Sequence, residues 1–185
     1  MYFSELEMWD RFFGTSILHC APETKLRKKI DSCNPSLYIL ADIAPKDDAI
    51  MKMDITDIPF DDESFDIVIA NHVLEHIPDY LNALHELYRV LKPGGQAILQ
   101  TPYSKLLSRN FEDVNINTDE LRRVFFGQGD HVRVFSMDHL FESIKNVGFE
   151  VKVTRHDELF TEKEAYVHGV NRSEHLIRAY KRLKD

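Results

Sequence analysis

Three groups of residues in this chain have types and spacings that can do chemistry. The first is a pair of aspartates that close apolar runs: Asp42 follows Ser36-Leu37-Tyr38-Ile39-Leu40-Ala41, and Asp54 follows Ile50-Met51-Lys52-Met53. A carboxylate at the end of a buried strand can accept both hydroxyls of a ribose. Asp42 stands about 20 residues beyond an earlier apolar run, the spacing of a ribose-binding acid. Its competing role is a cap on the next turn. The second group is Asn71-His72-Val73-Leu74-Glu75-His76. His72 is a candidate general base, because an imidazole titrates near working pH, and equally a candidate positioning residue. His72, Glu75 and His76 also match His-x-x-Glu-His, which as a zinc motif needs a stable helix and a third ligand. Here the pattern follows a strand directly and Pro78 lies just beyond it, so no metal is expected. The third group is Phe126-Gly127-Gln128-Gly129-Asp130-His131-Val132-Arg133-Val134-Phe135. We expect His131 and Arg133 to face a substrate, with Asp130 orienting one of them and Tyr103 and Gln128 nearby. The alternative is a hydrogen-bonded lid that never meets substrate. A guanidinium in such a place reads a carboxylate or phosphate in bidentate fashion.

These groups need a scaffold, and the apolar patterning supplies one. Strands are expected at Ser16–Cys20, Ser36–Ala41, Ile50–Met53, Phe65–Ala70, Gln96–Gln100, Phe149–Thr154 and Ala165–Val170. Phe65–Ala70 is a nearly continuous apolar run, typical of a strand covered on both faces. Between the strands lie a Lys/Arg-rich helix to about Ile30, a helix from Tyr80 capped by Asp79 with Leu81, Leu84, Tyr88 and Leu91 at helical spacing, a short helix capped by Thr118, and one capped by Ser136 and closed by Gly148. Ser4-Glu5-Leu6-Glu7 reads as a capping box opening an N-terminal helix within residues 1–15. A last helix is expected from Ser173. Strands alternating with helices imply an α/β fold: a doubly wound, mostly parallel, Rossmann-like sheet of seven strands with helices on both faces.

The unbroken run from Asp54 to Pro102 carries a resemblance. Its acidic loop, buried strand, amphipathic helix, Lys92-Pro93-Gly94-Gly95 and second buried strand are similar to the central part of class I S-adenosylmethionine (SAM)-dependent methyltransferases of the type 11 group. The resemblance covers roughly Ile17 to Thr154. It implies a last antiparallel strand, SAM as cofactor and S-adenosylhomocysteine as product. It places Asp42 on the ribose, and Asp54 rather than Asp57 on the adenine amine, with Ile43 and Ile55 against the ring. Asn71 and His72 fall at the rim where the methyl group belongs. Most such enzymes have a glycine-rich loop after the first strand. Here it reads Leu18-His19-Cys20-Ala21-Pro22-Glu23, which resembles a subgroup with Leu-His-x-Ala-Pro-Glu. That implies His19, Cys20, Ala21 and Glu23 at the cofactor's amino-acid tail. Residues 103–135 become a substrate-side insertion or lid.

Composition bounds the remainder. The chain has 185 residues and a net charge of −8, which fits one domain and argues against a nucleic-acid partner. Cys20 and Cys33 form no Cys-x-x-Cys pair. No apolar stretch approaches the ~18 residues of a membrane span, and the start lacks a signal-peptide core, so a cytoplasmic setting is the default. A nicotinamide-dependent oxidoreductase would need Gly-x-Gly-x-x-Gly, which is absent. The expected function is methyl transfer from SAM to a small or medium acceptor bearing an anionic group, with His131 or His72 as acid–base residue. The alternative is a non-catalytic SAM-binding or interaction domain. The oligomeric state is left open.

Overall fold

Apolar runs covered on both faces form the centre of the sheet. The computed structural model describes residues 2–167, 171 and 174–184. In it β1 (Ser16–Cys20), β2 (Leu37–Asp42), β3 (Met51–Lys52), β4 (Phe65–Ala70) and β5 (Leu91–Ile98) run parallel to one another. The short pair β6 (Tyr103–Ser104) and β7 (Phe135–Ser136) forms a separate two-stranded sheet. β8 (Glu150–Thr154) and β9 (Leu176–Tyr180) complete a seven-stranded sheet of order β3-β2-β1-β4-β5-β9-β8, with β9 antiparallel to both neighbours.

Side-chain alternation sends the two faces into different cores. Leu18, Val68 and Ala70 pack with Leu84 and Leu87 of α3 (Tyr80–Val90) and Leu140 and Ile144 of α5 (Met137–Val147). On the opposite face, Ile17, Ile67 and Ile69 pack with Ile30 of α2 (Thr24–Asp31) and with Phe3, Met8 and Phe12. Asp79 caps α3 through the Asn82 N–H, and Thr118 caps α4 (Asp119–Phe126) through the Leu121 N–H, as their positions predict. The apolar stripe of α3 is shifted from the expected one: Leu81 is exposed, while Ala83, Leu87 and Val90 are buried.

The termini depart from expectation. The N-terminal helix is two single turns, α1 (Tyr2–Glu5) and a 3₁₀ turn at Trp9–Phe12, broken at Glu7 with φ 49°. Ser4 lies inside α1, where its hydroxyl accepts from the Trp9 indole N–H at 3.0 Å rather than capping a helix. Ser136 holds the position before α5, but its side chain makes no capping bond. At the other end, α6 (His156–Leu159) and α7 (Glu162–Val167) follow β8, so Ala165–Val167 are helical, not a strand. Residues 168–170 and Ser173 lie outside the described residues. The expected C-terminal helix is instead β9. Four consecutive buried residues, Leu176 to Ala179, suit a strand covered on both faces, and buried Arg178 breaks the apolar run that would have announced it.

One polar clamp ties the sheet at the ends of its strands away from the site. Asp66 Oδ2 accepts from the Ser16 N–H at 2.8 Å, the Ser16 hydroxyl at 2.6 Å and Lys92 Nζ at 2.9 Å, joining β1, β4 and β5. Burial pushes the Asp66 carboxyl up, but the Ser16 and Lys92 hydrogen bonds outweigh it and hold it below the usual carboxylate range. A depressed folded pKa gives stability that is present above the unfolded value and lost as pH falls through the folded one. Asp66→Asn is therefore expected to lower stability at neutral pH by no more than about 1 kcal/mol, since solvent screens a pair more than a third exposed, and to flatten the acid limb below pH ~4. Urea midpoints of both proteins between pH 3 and pH 7 check this.

Candidate active site

A parallel sheet opens a crevice where successive connections leave in opposite directions. That point lies between β1 and β4, since β2 and β3 extend one way and β5 the other. A cleft of about 710 Å³ lies over the carboxyl ends of β1, β2 and β3. Cys20, Ala21, Asp42, Ile43, Asp54, Ile55 and His72, all candidates from the sequence, line it. Asp42 Oδ1 accepts from the Ala44 N–H at 2.8 Å, and Asp54 Oδ1 accepts from both the Thr56 N–H and hydroxyl. Each carboxylate is thus held by its own turn through one oxygen. Ile43 is 59% exposed although apolar, and Ile55 is buried on the same cleft wall.

The glycine-free loop takes a glycine-like shape. Ala21 has φ 48°, in the left-handed region, and its N–H bonds the Ala41 carbonyl at 2.8 Å. Such a backbone costs an alanine about 1–2 kcal/mol, so the surrounding contacts must enforce it. Burial, aided by the Asp42 carboxylate, pushes the adjoining Cys20 thiol up to about 12, so it stays protonated.

Below this loop, His19, Glu23 and Asn71 do not line the cleft; they bind one another. His19 is fully buried, with Nδ1 2.8 Å from the Tyr38 hydroxyl and Nε2 2.8 Å from Glu23. Asn71 Nδ2 donates to the other Glu23 oxygen at 3.0 Å. Burial pushes the Glu23 carboxyl up, but the bonds from His19, its own backbone and Asn71 prevail and hold it low. His19 therefore positions Glu23 instead of reaching the cleft itself.

The far end of the cleft is built by the turn after β4. His72 has φ 52° and donates its N–H to the Gln100 carbonyl at 2.7 Å, which turns its ring outward into the cleft. Its imidazole lies 3.7 Å from Glu75 and 3.5 Å from Glu174. The Glu75 carboxylate raises the His72 pKa, burial opposes it, and Glu174 and Glu23 add to the rise. Thr56, His76, Ile77 and Pro78 also line the cleft, which sequence reasoning did not assign. For His76, Ile77 and Pro78 the signal was there in Leu74-Glu75-His76, a 3₁₀ turn, and the two residues after it, which read as a connection.

The substrate-side expectations need correcting. Asp130, not His131 or Arg133, faces the cleft; its carbonyl lies 3.2 Å from His76 Nδ1 and its carboxylate 3.5 Å. His131 is turned inward, 7% exposed, with its ring edge-to-face on His76. Arg133 is buried over the Tyr80 ring and serves as a clamp. It donates to the carbonyls of Leu74, Ile77 and Pro78 and to Glu112 at 2.8 Å. With these partners the guanidinium is not free to read a substrate anion. Gln128 is exposed, and Tyr103 is buried edge-on against Phe141, neither on the cleft wall.

Removing the clamp would leave buried carbonyls without donors. Arg133→Ala is expected to cost about 2–4 kcal/mol in urea unfolding, with Arg133→Lys giving little rescue because an ammonium lacks the planar fork. An Arg133→Lys variant as stable as the wild type would refute the clamp.

Comparisons with known proteins agree with this architecture. The family described as methyltransferase domain, of the type 11 group, matches residues 14–99. Demethylmenaquinone methyltransferase from Staphylococcus epidermidis is 53% identical over 45 residues, 24% of this chain and 19% of that protein. The chain thus matches about a fifth of the length of such curated relatives. Among solved structures, the YcgJ protein from Bacillus subtilis superposes with a TM-score of 0.66 at 16% identity, covering 100% of both chains. The [4+2]-cyclase SpnF superposes with a TM-score of 0.65 at 14% identity, covering 96% of this chain and 82% of that one. Among the described residues no helix is long and apolar enough to cross a membrane. Residues 14–99, a little under half of the chain, thus match the type 11 methyltransferase domain, and the sheet order and switch-point cleft are those of the solved structures it superposes on.

Proposed function

We propose that this protein binds SAM in the cleft and transfers its methyl group to a small-molecule acceptor. The observation that carries the reading is the pair Asp42 and Asp54, which end adjacent parallel strands and share one cleft wall with Ile43 and Ile55. Such a wall suits a nucleoside: an acid for the ribose hydroxyls, a second for the adenine amine, and apolar side chains for the ring. Asp42 and Asp54 each have one oxygen fixed by a backbone N–H, so each is oriented before any ligand arrives. The left-handed backbone at Ala21 supports the tail end of the same ligand, because it preserves the close approach that a glycine would allow. Glu23, whose two oxygens are taken by His19 and Asn71 off the cleft wall, is not assigned to the ammonium group.

Bound SAM supplies a methyl group on a cationic sulfur, an electrophile that needs alignment more than activation. Holding the acceptor in line can contribute ~7–11 kcal/mol. His72, His76 and Asp130 surround the end of the cleft where the acceptor would be held. The methyltransferase named among the relatives supports a small molecule as acceptor. An anionic acceptor group loses its support, because Arg133 is committed to carbonyls and Glu112.

Calorimetry with SAM and S-adenosylhomocysteine tests the reading. Both should bind, and Asp42→Ala should weaken them by about 1.5–3 kcal/mol, the scale of charge-assisted hydrogen bonds. Absence of binding, or unchanged affinity in Asp42→Ala, would overturn the assignment. Binding without transfer of labelled methyl to candidate acceptors would leave the non-catalytic alternative.

A further inference from the structure

We propose that Glu75, His76 and His131 form a divalent-cation site under the acceptor end of the cleft, suited to zinc or manganese. One ligand atom from each of the three lies within 4.8 Å of the others. They come from two segments far apart in sequence, joined where the Val132 N–H bonds the Glu75 carbonyl at 2.9 Å. The Arg133 fork fixes the same turn through the Leu74, Ile77 and Pro78 carbonyls.

Two independent observations point to a ligand. Glu75 is 1% exposed, and neither carboxylate oxygen has a hydrogen-bond partner among the described residues. The nearest imidazole, His72, stops at 3.7 Å from one of those oxygens and is itself half exposed. A buried carboxylate that makes no hydrogen bond and meets only a half-exposed imidazole at 3.7 Å is costly, and a coordinated cation removes that cost. The second observation concerns the imidazoles. His76 Nδ1 lies 3.2 Å from the Asp130 carbonyl, and His131 Nδ1 lies 3.2 Å from the Phe126 carbonyl. A carbonyl only accepts, so in each neutral ring the proton sits on Nδ1 and Nε2 is left with its lone pair. Backbone carbonyls holding the second nitrogen of each ring are the outer-shell arrangement that orients histidine ligands.

Two imidazoles and one carboxylate make a mixed nitrogen and oxygen donor set that suits zinc, manganese or iron(II), and three protein ligands leave a coordination position open. His76 lines the cleft, so that position faces it. A hydroxyl or enol oxygen on the acceptor would ligate there and release its proton more readily. This consequence rests on the methyl-transfer reading; the cation site itself does not. The ligand set differs from the His-x-x-Glu-His pattern, because His131 from the remote loop takes the place of His72.

The test uses the full chain stripped with a chelator and titrated with CoCl₂ and ZnCl₂ in the absence of SAM, so its failure is separate from any failure to bind SAM. The wild type should bind one equivalent and develop visible cobalt bands. Glu75→Gln and His131→Gln should each lose at least ~10-fold in affinity with unchanged far-UV circular dichroism, and His139→Gln should keep it. Should either variant fail to fold, proton NMR of the cobalt-loaded wild type decides: paramagnetically shifted signals from His76 and His131, with those of His85 and His139 unmoved, support the site. No saturable binding, wild-type affinity in both folded variants, or shifted signals confined to other histidines would overturn it.

Discussion

Everything about the cleft follows from strands that run the same way. In a parallel sheet the carboxyl ends of neighbouring strands share one rim, and each must hand the chain to a crossover before the next begins. Residues placed just after each strand therefore converge in space while staying far apart in sequence. Cys20 and Ala21, Asp42, Asp54 and His72 meet for that reason alone. The opposite rim carries the Asp66 clamp with Ser16 and Lys92, so one end of the sheet is tied together and the other is left open.

The open rim is stiff nonetheless. Its acids are held by their own turns, its glutamate by a buried histidine and an asparagine, and its histidine-bearing turn by a guanidinium that reaches three carbonyls. Left-handed backbone at Ala21 and at His72 is tolerated because these neighbours over-determine it. The polar groups are largely oriented by the fold, which limits the ordering that a ligand would have to impose on entry.

Legibility in the sequence tracked how local each determinant is. Strands β1, β2 and β4 and the caps Asp79 and Thr118 depend on short stretches, and they stand where the pattern puts them, whereas β5 begins at Leu91, ahead of the expected Gln96. The acids after β2 and β3 were readable because spacing along a parallel sheet is regular. The N-terminus misled because Ser4 and Glu7 imitate a capping box, while tertiary contacts gave the hydroxyl to Trp9. The C-terminal strand stayed hidden because Arg178 interrupts its apolar run, and only a slot between β5 and β8 makes four buried positions extended. Which of Asp130, His131 and Arg133 faces the cleft depends on the path of an irregular segment, and composition carries no information about that path.

That irregular segment is fastened twice at its base. Tyr103 and Ser104 pair with Phe135 and Ser136, and further in Phe111 bridges Val134 while Glu112 meets Arg133. The loop beyond these fastenings leaves and returns at nearly one point. Doubling the length of such a loop costs only about 0.6 kcal/mol in closure entropy. Insertions and deletions between residues 113 and 118, ahead of α4, can accumulate over generations with the sheet and cleft untouched, making this stretch a module on which descendants of the chain can diverge.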